Sequence, residues 1–180
     1  LTLQNLTLTH GYAENHDGGG VENAGTLVVA DCTFDDNQAG YSGGGIYNTN
    51  GSSPRLINVT FSANQAMYGG GMFNAGGSNP TLISVTFNAN SNVGMYNDNS
   101  SPTLTHCTFT RNAATTRGGG WYITGPNCRP NLSDIQFIEN YCLVGGGAAM
   151  LSIGSDVTLD NCEFNGNYAA SSSSAGGGLY

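Results

Sequence analysis

The chain has 180 residues, enough for one domain with a sizeable core, and only 9% of them are charged, well under the roughly 25% of an average soluble domain. Its four cations are all arginine (Arg55, Arg111, Arg117 and Arg129), and the formal net charge is −8. That balance argues against nucleic acid, whose binding rests on cations that neutralise phosphates, and against docking on anionic lipid. No apolar run reaches the roughly 18 residues of a membrane span, so direct membrane insertion is not expected.

The chain opens on "LTLQNLTLTH", in which "LTHG" from Leu8 is a degenerate first copy of a step that then recurs. "FDDN" at Phe34, "FSAN" at Phe61, "FNAN" at Phe87, "FTRN" at Phe109, "FIEN" at Phe137 and "FNGN" at Phe164 follow at spacings of 27, 26, 22, 28 and 27 residues. Glycine triplets keep the same beat at residues 18–20, 43–45, 69–71, 118–120, 145–147 and 176–178, while the shortened copy "NVGMYN" keeps only Gly94. A proline followed by x-Leu opens units at Pro54, Pro80, Pro102 and Pro130.

Within a unit the pattern is strand-like. "LINVTF" at residues 56–61 and "LISVTF" at residues 82–87 are β-branched and aromatic, with Val inward, Thr outward and Phe inward. "GGGIYN" and "GGGMFN" predict a second short strand with Ile46 or Met72 inward. Asn, Ser, Gly and Ala between them are turn formers, and no helical period appears.

A unit this short cannot bury its own apolar face. Stacked on its neighbours it can, each strand pairing in parallel with the next at about 4.8 Å. The expected fold is all-β: a parallel β-helix of about seven coils forming one domain over residues 1–180, right-handed because parallel crossovers overwhelmingly are. Equivalent residues then form columns. Phe34, Phe61, Phe87, Phe109, Phe137 and Phe164 make an interior aromatic stack, and Cys32, Val59, Val85, Cys107, Ile135 and Cys162 an aliphatic one. Asn37, Asn64, Asn90, Asn112, Asn140 and Asn167 make a corner ladder whose amides satisfy the turn backbone.

This alternation of Phe-x-x-Asn with Gly-Gly-x-apolar is similar to the repeat of polymorphic outer-membrane autotransporter passengers. More broadly it resembles the Gly- and Asn-rich right-handed β-helix repeats of bacterial surface and secreted proteins. The resemblance covers nearly the whole chain. It implies an extracellular or cell-surface location and a non-enzymatic, adhesive or structural duty. The alternative it leaves open is a polysaccharide lyase or glycoside hydrolase, because many such helices cleave polysaccharides.

The residues offer that alternative little. The glycine triplets lack the Lys and Ser/Thr of a phosphate loop. A hydrolase needs paired carboxylates at a defined separation, and Asp31, Asp35 and Asp36 form the sole acidic cluster, on a strand and its turn. No catalytic residue, no metal site and no cofactor is assigned, with calcium at that cluster the one alternative. Ser84, His106 and Asp134 fall at matching outward positions, but on one open sheet face without an oxyanion hole. Thr7, Thr33, Thr60, Thr86 and Thr108 form an outward column of the kind that ice-binding solenoids use, though a single narrow one.

One outward column points to a ligand. After the glycine runs, inward and outward residues alternate as Ile46 and Tyr47, Met72 and Phe73, Met95 and Tyr96, Trp121 and Tyr122, Leu179 and Tyr180. Tyr47, Phe73, Tyr96 and Tyr122 are therefore expected to stand on four consecutive coils as an aromatic strip for a glycan or a surface protein. Cys32, Cys107 and Cys162 read as buried thiols, whereas Cys128 and Cys142 flank one coil and are the candidate disulfide. Joining Tyr180 of one copy to Leu1 of another keeps the period, so end-to-end homotypic stacking into a filament is a further expectation.

Overall fold

The computed structural model describes residues 1–126, 128–144, 149–170 and 177–179. Among these residues all regular structure is β-strand, and the strands pair in parallel with the coil above and below. The long sheet has seven levels: Thr2–Gln4 with Thr7–Thr9, Val28–Asp35, Arg55–Ser62, Thr81–Ile83 with Thr86–Asn88, Thr103–Thr105 with Thr108–Thr110, Asn131–Ser133 with Gln136–Ile138, and Thr158–Asp160 with Glu163–Asn165. Seven levels enclose six full turns of the helix.

The expected columns are formed in register. Phe34, Phe61, Phe87, Phe109 and Phe137 are completely buried, and consecutive rings stack 4.8–5.0 Å apart, down to Phe164. Leu56 and Val59 both face the core although they are three positions apart, an odd number. The intervening Asn58 has φ 53° and absorbs the odd residue. The same left-handed bend recurs at Asn5, Asp31, Ser84, His106, Asp134 and Asn161, residue types that include the Asn, Asp and His for which this region costs least. This kink splits the long strands of most coils into two short ones.

The Asn ladder lies inside. Asn64 Oδ1 accepts from both the backbone N–H and the Nδ2 of Asn37, at 3.0 Å each, while its own Nδ2 donates to Phe34 O and Asn90 Oδ1. The pattern repeats through Asn90, Asn112, Asn140 and Asn167.

The second sheet stacks Val21–Asn23, Ile46–Asn48, Met72–Asn74, Met95–Asp98, Trp121–Thr124 and Met150–Ile153. It carries a second buried ladder, Asn23, Asn48, Asn74 and Asn97, absent from the sequence reading. Ile123 occupies the next level, and the ladder ends where Trp121 Nε1 donates to Asn97 Oδ1 at 2.9 Å. A third, narrow ladder joins Tyr12–Ala13 to Gln38–Ala39, and Ala113–Ala114 to Tyr141–Cys142 and Tyr168–Ala169, through single bridges at Gln65 and Ser91. The stretch read as turn therefore contains a short strand.

The glycine turns each do three different jobs. Gly43 has φ 65°, in the left-handed region. A Cβ on Gly44 would stand 2.5 Å from the carbonyls of Gln65 and Gly70 on the next coil, and one on Gly45 would meet Gly71 O at 2.5 Å and the Phe61 ring at 2.7 Å. Backbone curvature, close approach of coils and room for the interior ring stack together demand the triplet. The expected turn at residues 145–147, Gly176 of the last run and Tyr180 lie outside the described residues.

Candidate functional site

The second sheet sets Tyr47, Phe73, Tyr96 and Tyr122 in one register column, facing away from the Phe stack. Their rings touch in sequence, with centroids 5.7, 4.7 and 4.6 Å apart. The strip is not the open platform that the sequence suggests: Phe73 is only 9% and Tyr122 only 6% exposed. Tyr68 and Arg117, each just before a glycine triplet, reach Tyr96 and Tyr122, and the accessible aromatic surface lies beside those contacts.

That surface is a groove of about 270 Å³. Met67 and Tyr68 form one wall and Thr115, Thr116 and Arg117 another, with Val93, Tyr96 and Tyr122 beneath. Tyr68, 48% exposed, meets Tyr96 edge-on at 5.9 Å. Tyr122 turns 87° out of the Tyr96 plane, which breaks the stack and opens the floor. Arg117 Nη1 then donates to the Tyr122 hydroxyl at 3.1 Å. Tyr96 holds its proton well above the usual tyrosine range, first because it is buried, then because Tyr122 and Asp98 lie close.

Tyr68, Met67 and Arg117 escape the sequence reading, which follows the residues after the glycines. A signal was available: Asp17, Ser42, Tyr68 and Arg117 form a row, each one residue ahead of a glycine triplet. Ser42 N–H donates to Asp17 Oδ1 at 2.8 Å within it.

A second, more polar groove of about 400 Å³ crosses the long sheet at His106, Asp134, Asn161, Gln136 and Glu163. His106 Nδ1 lies 3.5 Å from Asp134 Oδ2. Hydrogen bonds from Asn161 and then Ser133 hold the Asp134 carboxyl below the usual range, with His106 adding a smaller pull. Gln136 Nε2 donates to Glu163 at 3.1 Å. An acid held ionised in this way is a poor proton donor, and the row reads as a lateral ladder of satisfied side chains.

The acidic cluster does not converge. Asp31 accepts from Asn58 on the following coil at 3.1 Å, whereas Asp36 pairs with His10 on the preceding coil at 3.4 Å. Among the described residues no three His, Cys, Asp or Glu side chains come together as a metal site. The Thr column is in register from Thr7 to Thr108 and ends in Gln136 and Glu163.

The expected bridge between Cys128 and Cys142 is not formed, and all five cysteines are free thiols. The reason is positional. Cys128 occupies the buried column of Ser52, Ser78 and Ser100, two residues before each proline, and its thiol donates to Thr124 O at 3.0 Å. Cys142 sits in the narrow third ladder beside Ala114 and Ala169. Cys107 is an inert core thiol, pushed up to about 11 by burial.

Residues 1–105, more than half of the 180, match the family model described as a right handed beta helix region. The chain belongs to that family of parallel β-solenoids. No curated protein and no solved structure matches it.

Proposed function

We propose that this β-helix is a non-enzymatic scaffold of the extracellular or cell-surface kind, presenting a glycan-binding groove on its second sheet. One observation carries the reading: three tyrosine rings, Tyr68, Tyr96 and Tyr122, converge on one groove beside an arginine, on a column held rigid by stacked coils. Aromatic faces lie against the apolar faces of sugar rings, and their hydroxyls reach the ring substituents. The volume, near the roughly 300 Å³ lower end of small-ligand pockets, suits one or two sugar rings. The lyase or hydrolase alternative draws less support, because Asp31 and Asp36 are engaged on opposite neighbours.

A glycan array probed with the wild type and with Met67→Ser/Tyr68→Ser tests this. Both side chains are about half exposed, so the variant keeps the fold. Bound glycans are expected to lose at least tenfold in affinity. An unchanged binding profile, or no bound glycan at all, sinks the reading.

A further inference from the structure

We propose that the Tyr68 groove selects glycans bearing a carboxylate, with Arg117 and the Tyr122 hydroxyl as the anion-recognising pair. This deepens the glycan-binding reading and rests on it. The charge pattern points there first. The chain carries 12 acidic and 4 basic residues, yet no Asp or Glu lines this groove and one of the four arginines does. Arg111 and Arg129 are each turned to a carboxylate, Glu139 at 3.7 Å and Asp156 at 3.4 Å. Arg117 is turned instead to a neutral phenol.

The hydrogen bonds point the same way. The Tyr122 oxygen accepts from Arg117 Nη1 at 3.1 Å. Its own O–H is left to donate, polarised by the adjacent guanidinium. Among the described residues Arg117 spends one N–H on the phenol and keeps the rest of its planar fork, the geometry that matches a carboxylate by two parallel bonds. The strongest polar groups therefore all donate, and a ligand oxygen that only accepts is their complement. Tyr68, Met67 and Val93 supply the apolar wall against which the ring carrying that carboxylate lies.

The test uses two β-linked glucose disaccharides that differ at one C6, a carboxylate in one and a hydroxymethyl in the other. Affinities for the whole chain are read by NMR titration at pH 7 in low salt. The wild type is expected to prefer the acidic disaccharide at least tenfold, and added salt to narrow the preference. Arg117→Met, at an exposed position, is expected to abolish the preference by weakening the acidic disaccharide far more than the neutral one. Tyr122→Phe keeps the ring and is expected to cut the preference several-fold. Equal affinity of the wild type for the two sugars, or an Arg117→Met variant that keeps the preference, overturns the assignment and leaves glycan binding standing. Binding of neither sugar overturns both.

Discussion

A buried amide in this fold has four partners to satisfy, and Asn64 shows how a single residue type does so. Its Oδ1 takes two protons from Asn37 and its Nδ2 gives protons to Phe34 O and Asn90 Oδ1, with none of its surface exposed. Neither Asp nor Ser could fill both roles. Replacing Asn64 by Ala orphans a backbone N–H, a side-chain amide and a carbonyl in the interior, each worth about 1–3 kcal/mol when left unpaired. The expected loss for Asn64→Ala is about 3 kcal/mol or more, read from urea unfolding with the slope unchanged. A loss below about 1 kcal/mol would mean that water reaches this ladder.

Between residue and coil, the decisive element is the glycine turn, and its three positions are not interchangeable. Gly44 faces two carbonyls of the next coil at 2.5 Å from a would-be Cβ, and both belong to backbone that the sheets hold in place. Gly25, by contrast, meets nothing within 4 Å. Gly44→Ala is therefore expected to destabilise by several kcal/mol or to part the coils locally, while Gly25→Ala stays within about 0.5 kcal/mol of the wild type. Thermal unfolding of the two variants side by side checks this, and equal midpoints would refute the close-approach account.

The same element shows how far the sequence could be read. Phe-x-x-Asn and the glycine runs announce their columns because each column repeats one residue type. The second ladder of Asn23, Asn48, Asn74 and Asn97 repeats as plainly, but it sits one residue past the aromatic strip and draws less notice. The left-handed bend at Asn58 and its equivalents is harder to read, because Asn, Asp, Ser and His share a backbone preference without sharing a look. Its effect is to shift inward and outward by one, so Leu56 and Val59 both enter the core. The groove is hardest. Whether Tyr68 and Arg117 lie over the Tyr96 column depends on how turns of unequal length fold outward, and a repeat period carries no information on that.

At the scale of the whole molecule each coil touches only its neighbours, so stability is close to a sum of coils and interfaces, and a coil is a removable unit. Deleting residues 54–79 takes out one complete turn, Arg55–Ser62 and Met72–Asn74 included. It brings Phe34 onto Phe87, Asn37 onto Asn90, Asn48 onto Asn97 and Tyr47 onto Tyr96, each pair of a kind that already stacks elsewhere in the molecule. The shortened chain is expected to keep its β-sheet circular dichroism and to unfold cooperatively. Removing residues 54–66 instead takes half a turn, mismatches every later column, and is expected to leave the chain unfolded or aggregated. The full-coil deletion also removes Met67 and Tyr68, one wall of the groove, while Tyr96, Tyr122 and Arg117 remain. A folded but non-binding protein is thus the expected result, separating the scaffold from the site it carries. Should the deletion variant fail to fold, coils would depend on more than their neighbours; should it bind sugar as well as the wild type, the groove wall would not be where the ligand sits.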